Sequence, residues 1–82
     1  MTYDTFESLK VGNRLKPIGK VRTYPVVRIG KLRGEPNGVR AVYVCLNPTA
    51  VERKKEPVQE FCIFSARSLE HSTHYLNWDK VS

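Results

Sequence analysis

Four residues in this chain have side chains that bind zinc or carry out thiol and imidazole chemistry: Cys45, Cys62, His71 and His74. A structural zinc site sets its cysteines only about two to four residues apart on a knuckle. Here each cysteine is a single member of a separate apolar run, where a free thiol behaves as a small hydrophobe, so no metal site is expected. A nucleophilic Cys62 served by His71 or His74 would need an exposed, electropositive thiol. Phe61-Cys62-Ile63-Phe64 describes the opposite surroundings, and core packing is the expected role. The best enzymatic candidate is a small ribonuclease, in which His71 and His74 exchange protons while Arg and Lys stabilise developing phosphate charge. Both histidines fall in the polar stretch Glu70-His71-Ser72-Thr73-His74-Tyr75, where imidazoles are commonly surface groups. The glycines at 12, 19, 30, 34 and 38 match neither the Walker nor the dinucleotide spacing, so nucleotide hydrolysis is not expected and no cofactor is implied.

The basic residues offer a different chemistry. Fourteen Lys and Arg against eight Asp and Glu give a formal net charge of +6. The excess is confined to the first half: residues 1–40 hold nine basic and three acidic side chains, residues 41–82 five of each. No acid occurs between Val11 and Gly34, a stretch that contains Arg14, Lys16, Lys20, Arg22, Arg28, Lys31 and Arg33. Such a one-sign field attracts phosphates or an acidic protein surface. Strict alternation along Thr23–Leu32 would place Tyr24, Val26 and Arg28 on one face, beside Arg22, with Val27 and Ile29 turned inward. Arg14, Lys16, Lys31, Arg33 and Arg40 would extend the patch, and Tyr24 or Tyr43 could stack on an unpaired base. Arg53-Lys54-Lys55 would add a second, mobile phosphate contact flanked by Glu52 and Glu56.

These residues must be positioned by short strands. At 82 residues the chain is near the lower end at which one core holds without staples, burying roughly 60% of the unfolded surface, so residues 1–82 are expected to form one domain. A composition of 40% hydrophobic and 27% charged residues argues against wholesale disorder. A helical turn is expected at Asp4–Glu7, capped by Asp4, with Phe6 and Leu9 pinning it to the body and Gly12 ending it. Strands are expected at Arg14–Ile18, at Thr23–Leu32 with Pro25 marking an edge or bulge, and at Val39–Leu46, which is apolar enough to lie centrally. Gly34-Glu35-Pro36-Asn37-Gly38 has the residues of a hairpin turn between the last two. Thr49-Ala50-Val51-Glu52 repeats a capping pattern, but no apolar stripe follows it, so an exposed loop or one frayed turn is expected. A fourth strand at Val58–Ser65, a helical or 3₁₀ turn at Ala66–Thr73 and a last strand at Tyr75–Trp78 complete the chain.

This order of elements resembles the SH3-like barrels, including the KOW and Tudor type modules. It implies a mainly β fold: a small five-stranded SH3-like or OB-like barrel, with an open α+β sheet as the alternative. Two unpaired cysteines suit a reducing cytoplasm, and Met1-Thr2-Tyr3-Asp4 begins no export signal. No run approaches the roughly 20 apolar residues of a membrane span. Asn47-Pro48-Thr49 has the excluded proline in the middle of a sequon, so glycosylation is not expected. The functional expectation is a non-enzymatic nucleic-acid-binding module, as a monomer or weak homodimer, that contacts DNA or RNA phosphates through its basic surface. The competing expectation is a small regulatory protein, of the kind phage and plasmid genomes encode, docked on an acidic patch of a larger protein.

Overall fold

The computed structural model describes residues 1–32, 39–64 and 74–82. The expected hairpin turn at Gly34–Gly38, the helical turn at Ala66–Thr73, Arg33 and His71 lie outside the described residues. The chain opens with α1 (Tyr3–Glu7), capped by Thr2 rather than Asp4: the Thr2 hydroxyl accepts the Thr5 N–H at 3.2 Å. Asp4 falls inside the first turn, where its charge still favours the helix N-terminus. Ser8 ends the helix, four residues before Gly12. Gly12 instead takes a left-handed φ of 99° and donates to the Val26 carbonyl at 2.9 Å. Phe6 and Leu9 enter the core as their spacing suggests, with Phe6 stacked on Tyr75 at 5.2 Å.

Five strands form one antiparallel sheet in the order β4-β3-β2-β1-β5. They are β1 (Arg14–Pro17), β2 (Tyr24–Leu32), β3 (Val39–Cys45), β4 (Glu60–Phe64) and β5 (Trp78–Lys80). The short helix α2 (Pro48–Glu52) lies between β3 and β4. The fold is thus mainly β, with two short α-helices among the described residues. Among the described residues no ladder joins β4 to β5, so the sheet is open rather than a closed barrel. It does curl: Trp78 of β5 reaches Phe61 of β4 with ring centroids 5.7 Å apart and meets Tyr24 edge-on at 6.2 Å. The concave side holds Phe6, Leu9, Leu15, Val26, Val42, Val44, Ile63 and Trp78. No described helix is long and apolar enough to cross a membrane.

β3 is central and covered on both faces, as its apolar run implies: Val42 and Val44 face the core, while Ala41 and Cys45 are buried on the other side. β2 is also central rather than an edge, and its irregularity sits just after Pro25. Val26 pairs with Val44 and Arg28 with Tyr43, so two steps on β2 match one on β3 and Val27 is the extra residue. This bulge breaks the alternation. Val26 is buried and Val27 exposed, Ile29 faces the core as expected, and Tyr24 packs half-buried on the core side instead of sharing a face with Arg28.

The last strand also differs from expectation. Tyr75–Asn77 is a 3₁₀ turn and the strand begins at Trp78. His74 sets this turn, its Nδ1 accepting the Leu76 N–H at 3.2 Å and its carbonyl the Asn77 N–H at 2.9 Å.

Candidate functional site

Among the described residues the cations of the basic half do not share one face. Arg40 points inward. Its Nη2 donates to the Leu9 carbonyl at 2.9 Å, its Nε to the Phe6 carbonyl at 3.3 Å, and its guanidinium lies 5.9 Å from the Phe6 ring. It meets the Leu9 carbonyl just past α1 and shares the Phe6 carbonyl with the Leu9 N–H, so it acts as a clasp between α1 and the sheet. Arg28 lies on the convex face, 3.8 Å over the Tyr43 ring, with Nε 3.0 Å from Glu60 Oε2. A charge so neutralised attracts phosphate weakly, and Tyr43 has its ring face already covered. Arg14 donates to the Thr23 hydroxyl at 3.0 Å and Lys16 to the Lys20 carbonyl at 3.5 Å. Lys31 is exposed on β2, opposite Arg40.

Three cations that are distant in sequence do converge. Arg22, from the β1–β2 connection, lines a pocket of about 300 Å³ with Arg53 and Lys55 from the end of α2. Leu46, Asn47, Thr49 and Ala50 complete the lining, and no carboxylate is among these residues. Arg22 also sits over the Tyr24 ring, 5.6 Å from its centroid, within cation–π range.

Local chemistry builds this pocket. Pro48 occupies the first turn of α2, where a missing N–H costs nothing. The helix closes in a Schellman motif: Lys55 N–H donates to the Ala50 carbonyl and Lys54 N–H to the Val51 carbonyl, each at 3.0 Å. Lys54 takes the left-handed conformation this requires, φ 56°, and the reversal leaves Arg53 and Lys55 on either side of it. A lysine there carries a Cβ penalty that glycine avoids. Lys54→Gly should therefore stabilise the fold by about 1 kcal/mol in urea unfolding. Unchanged or lowered stability would contradict the Schellman geometry.

Asn47 ties the excursion between β3 and β4 together. Its Oδ1 accepts from Gln59 N–H at 2.9 Å and Cys45 Sγ at 3.3 Å, and its Nδ2 donates to the Pro57 carbonyl at 2.9 Å and Glu56 Oε2 at 3.1 Å. All four hydrogen-bonding positions of the amide are occupied. The sequence drew notice to Asn47 only as the start of an excluded sequon, and its clasp depends on Gln59, twelve residues on. Leu46, Thr49 and Ala50 had no signal as lining residues.

The thiol and imidazole groups are separately engaged. Burial pushes the Cys62 thiol above its ordinary pKa, with Tyr43 and Arg28 only partly opposing this, so it is protonated near neutral pH. Cys45 is buried, and the His74 Nδ1 caps its turn. Among the described residues no three His, Cys, Asp or Glu side chains come together as a metal requires.

Fold and site define a small basic protein with an open antiparallel sheet and a cation-rimmed pocket beside α2. Comparison with family models finds no match, and comparisons with curated proteins and with solved structures find none either.

Proposed function

We propose that this chain is a non-enzymatic nucleic-acid-binding module whose phosphate contacts centre on Arg22, Arg53 and Lys55. The observation that carries this reading is the convergence of these three cations on a pocket whose lining includes no carboxylate. Phosphates are the common polyanionic partner of such an arrangement, and the net charge of +6 supplies the long-range attraction. The curl that brings Trp78 onto Phe61 supports a barrel-like reading of the sheet, and free thiols at Cys45 and Cys62 support a reducing, cytoplasmic setting.

A second reading, docking on an acidic protein surface, is favoured by the exposed Ile18 and Val21, which flank Lys20 and could serve as apolar anchors. Salt separates the two. Anisotropy of labelled oligonucleotides should show a log–log affinity slope of about −2 to −3 for three phosphate contacts. Absence of binding at low salt, or affinity that does not change with salt, would retire the nucleic-acid reading in favour of a protein partner sought by pull-down.

A further inference from the structure

The pocket differs from a flat basic patch in being concave and in having two chemistries. Cations stand at its rim, while Leu46 and Ala50, both half-buried, give it an apolar lining. At about 300 Å³ it lies at the small end of ligand sites, sized for one compact unit. In a duplex the bases are paired and stacked inside a convex cylinder, so only phosphates could reach the rim and the apolar lining would stay empty. In a single strand a base can leave its neighbours and enter a pocket while its phosphate remains outside.

The polar groups that could read such a base are few. The Asn47 amide is fully committed to the loop. The Thr49 hydroxyl has no hydrogen-bond partner among the described residues, and alone it can meet a donor or an acceptor on any base. Selection of one base generally takes a bidentate contact.

Resting on the nucleic-acid reading above, we propose that this pocket receives one nucleotide of a single strand, base against Leu46 and Ala50 and phosphate at the Arg22–Arg53–Lys55 rim, without choosing the base. The site is selective for strandedness and indifferent to sequence.

Single-stranded 12-mers of dT, dA and dC and a mixed-sequence duplex of equal length, titrated into wild-type protein and Ala50→Leu at low salt, test this. Leucine fills the pocket, keeps every charge and is itself a good helix former, close to alanine. The expected result is single-strand binding about tenfold tighter than duplex, equal within about threefold among the homopolymers, with Ala50→Leu removing the advantage and leaving duplex binding intact. Thermal unfolding of the variant confirms that it folds. Amide shifts at Thr49 and Ala50 on adding dTMP, but not inorganic phosphate, would place the base inside without relying on the variant. Equal single-strand and duplex affinity, or no effect of Ala50→Leu, would overturn the pocket assignment while leaving the module a nucleic-acid binder. A strong preference for one base would overturn the sequence indifference. Binding of neither polymer would overturn both readings together.

Discussion

Reversing charge at the pocket rim, Arg22→Glu with Arg53→Glu, is expected to weaken single-strand binding by about a hundredfold or more at low salt and flatten its salt dependence. Each lost phosphate contact removes about 0.7 from the log–log slope on a single strand, and each new carboxylate repels the backbone it replaces. Stability should hardly change: both side chains are exposed, and the contact that structure records for Arg22 is its approach to Tyr24 at 5.6 Å. The matched control is Arg14→Glu with Lys31→Glu, which changes net charge equally at exposed positions outside the pocket lining. If the control loses as much affinity as the rim variant, binding is driven by diffuse charge and the pocket has no special part in it. Anisotropy titrations at about 50 and 200 mM salt read both effects.

Phe6→Ala is expected to cost about 3–5 kcal/mol in urea unfolding. The ring is fully buried, stacks on Tyr75 and lies under the Arg40 guanidinium, so its loss opens a cavity where α1 is held to the sheet. Against a typical stability of about 5–15 kcal/mol this is a large fraction, equivalent to a fall in Tm of about 15–30 °C for a domain this size. Arg40→Met isolates the other half of the junction. It keeps much of the aliphatic packing and removes the hydrogen bonds to the Phe6 and Leu9 carbonyls, with an expected cost of about 2 kcal/mol. A cost below about 1 kcal/mol for Phe6→Ala would mean that α1 is not part of the cooperative core.

Arg40 also shows why the cationic surface was hard to read. On sequence it looks like another member of the basic run, continuing Arg28, Lys31 and Arg33 across the turn. Its direction depends on which face of β3 it occupies and on the Phe6 and Leu9 carbonyls lying above that face, neither of which is local. Arg28 was placed on an outer face correctly, but its neutralisation by Glu60 joins residues from β2 and β4 across the intervening β3.

What the amino-acid order determined by itself was whatever depends on near neighbours. Alternating and β-branched runs place β1 to β4 within a few residues of their observed ends, and the Phe6/Leu9 spacing marks the buried side of the first helix. The uneven charge follows from the order of residues alone. The tertiary structure decided what depends on register and on encounters between distant segments. One extra residue at Val27 reverses the faces of β2, because side chains alternate with a period of two and a single-residue slip moves every later one across the sheet. The Asn47 clasp and the Schellman turn at Lys54 bring Arg53 and Lys55 round to Arg22, some thirty positions earlier. No local propensity encodes such a meeting, since it is fixed only when the strands on either side are paired.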